Sequence, residues 1–281
     1  MDKKNHLLTM LDDKRVPVGM QCFTGNHTLI EVMGLSGFDY VWLDSEHCGT
    51  NPRALEDTIR TADGVGLISL VRIPEPDDDT AARRALEAGA DGLVIPMVRS
   101  AADVRRIVEA VIYPPNGKRG ICPAYRAAGY SIRSFGEYAA TSDANIVVIP
   151  MIETLDALEN VEEICAVDQV RIITFAAGEL AFAMGEGAHL NRSPKIQAAY
   201  EKVKEAAKRH GVALLGGPIL DPTVDNCAKA LEDGITVFCL GLDVMAFRRV
   251  CENTVRSLNE AVDGSAYSRP PAPPSGFPEH N

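Results

Sequence analysis

Eight short runs rich in β-forming residues recur along the chain, separated by stretches patterned as helix. They are Pro17–Phe23, Tyr40–Asp44, Ser69–Val71, Gly92–Pro96, Ile146–Ile152, Val170–Ala176, Ala213–Gly216 and Ile235–Leu240. Two of them, IVVIPMI and VRIITFA, are almost wholly apolar. A strand with no polar face must be covered on both sides, which fits a parallel sheet wrapped by helices. Helix starts fall between the runs, where Asn51-Pro52, Ser193-Pro194 and Asp221-Pro222 each offer a cap followed by Pro at the first helical position. From Ile196 the apolar positions recur at Tyr200, Val203 and Ala207, one helical face, and Gly211 supplies the stop. Eight such units in about 250 residues predict a single (β/α)8 TIM barrel over 1–264. A doubly wound open sheet is the alternative, but the Gly-x-Gly-x-x-Gly loop expected after its first strand is missing.

Composition narrows the partners. The 281 residues carry a formal charge of −11, which disfavours nucleic acid and anionic membranes. No apolar run approaches the ~20 residues of a membrane span, and the polar N-terminus has no secretory core, so a cytoplasmic location is expected. The seven cysteines form no Cys-x-x-Cys pair and are expected to be buried apolar groups or free surface thiols. Two segments stand apart. About 30 residues separate the fourth helix from the fifth strand, and so long a connection is usually functional. The Pro-rich stretch 265–281 reads as an extended tail.

In a TIM barrel the chemistry sits at the C-terminal ends of the strands. The residues found there are Asp44-Ser45-Glu46-His47, Arg72, Glu153, Ala177-Gly178-Glu179, Gly216-Gly217-Pro218 and Gly241-Leu242-Asp243. Glu153 and Glu179 follow neighbouring strands. Two close carboxylates repel, which forces a shared proton or a cation, and such a pair suits Mg²⁺ or Mn²⁺. Each could instead pair with a base or cap a helix. His47, the one histidine at a strand end, could act as a base, with Asp44, Glu46 or Glu87 orienting its ring, or be structural. Arg72 could hold a carboxylate or enolate oxygen, or simply neutralise one of these acids. Trp42 reads as packing.

The same residues support a resemblance. GFDYVWLDSEH, LVRIP, ALEAGADGLVIPMV, YPPNGKRG, PMIET, AGELAFAMG and FCLGLD follow one another with matching order and spacing from about Val16 to Leu258. The chain thereby resembles the metal-dependent pyruvate aldolases of the HpcH/HpaI type, the 2,4-dihydroxyhept-2-ene-1,7-dioate aldolase family. The resemblance implies cleavage of a 4-hydroxy-2-oxo acid to pyruvate and an aldehyde. It also implies a divalent metal (Mg²⁺, Mn²⁺ or Co²⁺) on Glu153 and Glu179, His47 as the catalytic histidine, and Arg72 on the pyruvate enolate. Amides around Gly178 and Glu179 would receive the pyruvate carboxylate. Glu179 stands where the family has Asp, and Ala-Ala-Gly-Glu-Leu replaces Gly-Pro-Ala-Asp-Leu. The resemblance further implies a homo-oligomer, most often a hexamer, with the C-terminal helix exchanged between partners. The apolar series Val244, Phe247, Val250, Cys251, Val255, Leu258 and Val262 marks that helix as amphipathic.

Rival readings stay open at this point. The same site could run a decarboxylase or acyl-CoA lyase reaction, although no basic patch for CoA is evident. An inactive binding module and a phosphate-binding barrel at Gly216-Gly217-Pro218 are the others. No lysine falls at a strand end, which disfavours a Schiff-base aldolase. Tyr125, Arg126 and Tyr130 in the long connection, together with Gly49–Pro52, are candidates for contacting the acceptor half.

Overall fold

The computed structural model describes residues 6–187 and 193–269. The eight strands are β1 (Val18–Cys22), β2 (Tyr40–Asp44), β3 (Ile68–Arg72), β4 (Gly92–Ile95), β5 (Val147–Ile152), β6 (Ile172–Phe175), β7 (Ala213–Leu215) and β8 (Phe238–Leu242). The helices before β5 are α1 (His6–Asp12), α2 (His27–Leu35), α3 (Pro52–Gly64), α4 (Asp79–Ala88), α5 (Ala101–Val111) and α6 (Phe135–Asn145). Those after it are α7 (Leu155–Glu159), α8 (Val161–Cys165), α9 (Ala177–Ala183), α10 (Pro194–His210), α11 (Val224–Glu232) and α12 (Asp243–Val262). All strand pairs are parallel, in the order β7-β6-β5-β4-β3-β2-β1-β8. Between β7 and β8 there is only the isolated bridge Leu215–Val237, so the (β/α)8 barrel is nearly closed.

The apolar strands behave as their sequence demands. All six residues of β5 and all five of β2 are buried. Alternate side chains feed two separate cores. Trp42, Leu70, Val94, Ile149, Met151 and Leu215 fill the barrel, while Val41, Leu43, Val71, Ile152, Ile173 and Leu214 pack outward against the helices. At the N-terminal end Tyr40 crosses the interior and donates its hydroxyl to the Phe238 carbonyl at 2.8 Å. Gly19 makes that possible, since a Cβ there would lie 2.3 Å from the Tyr40 ring.

The chain divides into two compact units, residues 1–243 and 244–281. The second consists largely of α12, whose Phe247, Val250, Val255 and Leu258 are exposed. Residues 270–281, most of the Pro-rich segment, lie outside the described residues.

Three local expectations are corrected. The last strand begins at Phe238, because the Ile235 amide follows Gly234 (φ 95°) and is still bonded to the Ala230 carbonyl of α11. Gly241 and Leu242 are therefore strand residues. The cap of α11 is Thr223, whose hydroxyl accepts the Asn226 amide, and not Asp221. The long connection contains a helix, α6, and joins α5 to β5, which puts it at the N-terminal end of the strands, opposite the mouth. All seven cysteines are free thiols; Cys22, Cys165 and Cys239 are buried.

Asp243 ties the last strand to the first. Its carboxylate accepts the amides of Phe23 and Thr24, each at 3.0 Å, and the Thr24 hydroxyl at 2.5 Å. A buried carboxylate with several donors stabilises through charge-assisted bonds. Asp243→Ala is expected to lower the free energy of unfolding by about 3 kcal/mol, measured as a fall in the urea midpoint at constant slope.

Candidate active site

Register places the polar residues. Asp44 lies opposite Arg72 across β2 and β3, and Ile152 opposite Phe175 across β5 and β6, so the residues that follow emerge at one rim. Arg72 is 4% exposed and makes the centre of the cluster. One terminal nitrogen meets Asp44 and the other lies 3.0 Å from Glu46 Oε2. Its Nε has no protein partner, and neither has Trp42 Nε1. Burial lowers the Arg72 pKa, against the opposing pull of Glu153 and Glu179.

Asp44 turns out to hold the loop and not the imidazole. Its Oδ1 accepts the amides of Glu46 at 2.9 Å and His47 at 2.7 Å, while Oδ2 faces Arg72 and Gln21. The ring of His47 meets Glu46 instead, with Nε2 3.5 Å from Oε2, and the side chain is 54% exposed. Glu87 is not in this cluster. It sits near the end of α4, ion-paired at 3.9 Å with Arg83, and its backbone carbonyl accepts the Ala127 amide. Ala124, Tyr125, Arg126 and Tyr130 of the long connection do not line the mouth cavity; they line a separate pocket with Pro52, Arg60 and Glu87. Arg126 bonds Asp63 and the Ala88 carbonyl at the C-terminal ends of α3 and α4.

Glu153 is buried and accepts the Met97 amide at 2.5 Å. Met97 adopts φ 51°, a conformation uncommon for a residue with a side chain, and its N–H is thereby turned onto the carboxylate. Burial and then the charge of Glu179 raise the Glu153 pKa, and Met97, Arg72 and His47 oppose the rise. Glu179 lies in the first turn of α9, whose cap is Ala176, so no side chain accepts the first amides of that helix. Burial, followed by the charges of Glu153, Glu179 and Glu75, pushes Glu46 up to about 7. Three carboxylates thus share one field with a single buried guanidinium. Among the described residues no group of three or more His, Cys, Asp or Glu is arranged as a full metal shell. Glu153 and Glu179 together fit a hard cation that takes its remaining ligands from water and substrate.

Two depressions meet here. A cavity of about 660 Å³ is lined at the mouth by Gln21, Trp42, His47, Arg72, Gly178 and Glu179. A neighbouring groove is lined by Met97, Glu153, Glu179 and Phe182. Glu179 belongs to both. Sequence reasoning missed Trp42 and Gln21 as lining residues, since both lie inside strands and only the barrel's inward alternation turns them to the mouth. It also missed the Met97 amide, for which no side-chain signal exists.

The profile of HpcH/HpaI aldolase/citrate lyase matches residues 19–250. The chain belongs to this family. It is an enzyme of the lyase type. The 5-keto-4-deoxy-D-glucarate aldolase of Klebsiella pneumoniae is 30% identical over 246 residues, which cover 87% of this chain and 93% of that one. The crystal structure of an HpcH/HpaI aldolase from Desulfitobacterium hafniense superposes with a TM-score of 0.82 at 28% identity, covering 90% of this chain and 96% of the other. Macrophomate synthase superposes with a TM-score of 0.81 at 27% identity over 92% of this chain and 89% of its own. Among the described residues no helix is long and apolar enough to cross a membrane.

The raised Glu46 pKa has a measurable consequence. The folded state holds this proton more tightly than the unfolded chain, so its contribution is full below the ordinary Glu pKa of about 4.3 and is lost as pH rises through about 7. Metal-free protein is expected to lose thermal stability between about pH 5 and pH 8, and Glu46→Gln to flatten that slope. Thermal melts across this range decide it.

Proposed function

We propose that the protein cleaves a 4-hydroxy-2-oxo acid to pyruvate and an aldehyde, with Glu153 and Glu179 as the ligands of a divalent cation, Mg²⁺, Mn²⁺ or Co²⁺. The observation that carries this reading is the convergence of Arg72, His47 and Glu179 on one cavity, with Glu153 beside them. The cation supplies Lewis-acid polarisation of the 2-oxo group when bound.

The protein's own groups do the rest. The first amides of α9, around Gly178 and Glu179, receive the substrate carboxylate at a helix start with no capping side chain. His47, with Nε2 turned to Glu46, takes the 4-hydroxyl proton at its other ring nitrogen. As the C3–C4 bond breaks, charge develops on the 2-oxo oxygen. The fixed guanidinium of Arg72, with Nε still free to donate, stabilises that charge. Asp44 is a positioning residue, since it fixes both Arg72 and the His47 backbone. Lys229 of α11 also lines the cavity, paired to Asp233 at 3.2 Å, and the proposed route does not use it.

Pyruvate release from a panel of 4-hydroxy-2-oxo acids, coupled to lactate dehydrogenase, tests the reading. Glu153→Gln and Glu179→Gln are expected to abolish release while leaving the circular dichroism spectrum unchanged, because a neutral amide is a poor ligand for a hard cation. His47→Ala should slow turnover by ~10²- to 10⁴-fold. Full activity in excess chelator would remove the metal.

The protein is further proposed to be a cytoplasmic homo-oligomer, most simply a hexamer. The support is α12, where Phe247, Val250, Val255 and Leu258 recur at helical spacing and are exposed, with Phe247 65% accessible. Light scattering should give a mass several times 30.3 kDa, and Phe247→Glu with Val250→Glu should reduce it. A monomer with full activity would overturn the assembly.

A further inference from the structure

The mouth cavity does not stop at the barrel wall. Inside, it touches Trp42, Met151 and Leu215 of the inner core; beyond, it touches Phe175, Ile196 and Leu214 of the outer core. Those two cores are elsewhere separated by strand backbone. The breach lies where the sheet is weakest. β7 is three residues long and meets β8 through one bridge. It is followed by Gly216 and Gly217, which carry no side chain to close the gap. A Cβ on Gly216 would lie 2.7 Å from Ile235, so that turn is packed from outside, whereas Gly217 has only the Phe175 carbonyl within 4 Å, at 3.8 Å.

The outer part of the cavity is open because α11 does not fill it. The residues that α11 and the turn after it present to the space are Asn226, Lys229, Ala230 and Asp233, spaced i, i+3, i+4 and i+7. None is a large apolar side chain, and no residue of α11 is buried. By contrast α10 packs Ile196, Ala199 and Val203 inward. The apolar part of its wall comes from Phe175, Ile196, Ile235 and the Tyr200 ring, and Gln197, Asn226, Lys229 and Asp233 line it as well. A volume of about 660 Å³ lies within the ~300–1,000 Å³ of pockets that enclose drug-sized ligands, and well above what a pyruvate unit needs.

We infer that this extension is a subsite for an apolar chain on the acceptor half of the substrate, an aldehyde bearing several carbons of alkyl or aryl chain. The inference rests on the aldolase reading for its orientation. The oxo-acid end stays at Arg72 and Glu179, and the chain passes over Gly217 between Phe175 and Tyr200 toward Ala230.

Binding of straight-chain 2-oxo acids tests it without turnover. The probes run from pyruvate and 2-oxobutanoate to 2-oxooctanoate, the last having the carbon skeleton of an adduct of pyruvate and pentanal. Trp42 is the single tryptophan of the chain and lines the cavity, so its fluorescence reports occupancy directly. Affinity is expected to climb with chain length, by up to about fourfold for each methylene buried, making 2-oxooctanoate at least about tenfold tighter than 2-oxobutanoate. Ala230→Trp, which fills the extension from outside, and Gly217→Val, which narrows the passage, should each bring the long and short affinities together. Affinity that stays flat with length, or a slope that both variants preserve, overturns the subsite. The aldolase reading fails differently, by absence of pyruvate release from every adduct while the chain-length slope persists.

Discussion

A guanidinium buried at the end of a barrel strand is stable only among carboxylates, and Arg72 organises the mouth of this barrel for that reason. Removing an ion from water costs several kcal/mol, and the loss of one partner of such a pair costs about 3–5 kcal/mol. Asp44, directly opposite in register, supplies the compensation with one oxygen. Its other oxygen captures the Glu46 and His47 amides, so the same pairing that keeps Arg72 buried also sets the histidine loop. Glu46 completes the arrangement by touching both Arg72 and His47. Arg72 and the loop that carries Glu46 and His47 therefore depend on one charge pair between two neighbouring strands.

Compensation is incomplete in the other direction. Around the buried guanidinium of Arg72 stand Asp44, Glu46, Glu153 and Glu179, and burial, reinforced by the neighbouring carboxylates, raises the pKa values of Glu46 and Glu153. A site that holds carboxylates against their own repulsion is poised to accept a cation, which is the electrostatic basis of the metal proposal. The Met97 amide, turned inward by a left-handed backbone, holds one oxygen of Glu153, a residue that lines the groove.

The two ends of the barrel are used differently. The mouth gathers charges. The far end gathers aromatic and backbone contacts, with Tyr40 across the interior and the long connection packed under α3 and α4. Length alone made that connection look like an active-site loop. Its position between a helix and the following strand, and not between a strand and the following helix, places it on the opposite side of its own chain.

Much of this was legible in the residues themselves. Strands such as IVVIPMI have no polar face, and that by itself requires a sheet covered on both sides. Reading only the residues after each run found Arg72, Glu153, Glu179, Asp44 and His47, because side chains at the ends of parallel strands must converge on one rim. The matching motifs carried the family, since order and spacing along most of the chain are one-dimensional properties. Which partner each charge chose was not legible. Asp44 could have oriented the imidazole, yet it caps the loop amides, a choice set by backbone geometry that no residue type encodes. Glu87 was equally able by residue type to orient His47, yet it pairs with Arg83 on α4, and the acid beside the imidazole is Glu46. The gap over Gly217, where inner and outer cores join, arises from a short strand, a single bridge and a helix that leaves its space unfilled. Such a cavity is a relation among elements distant along the chain, and only packing in three dimensions decides it.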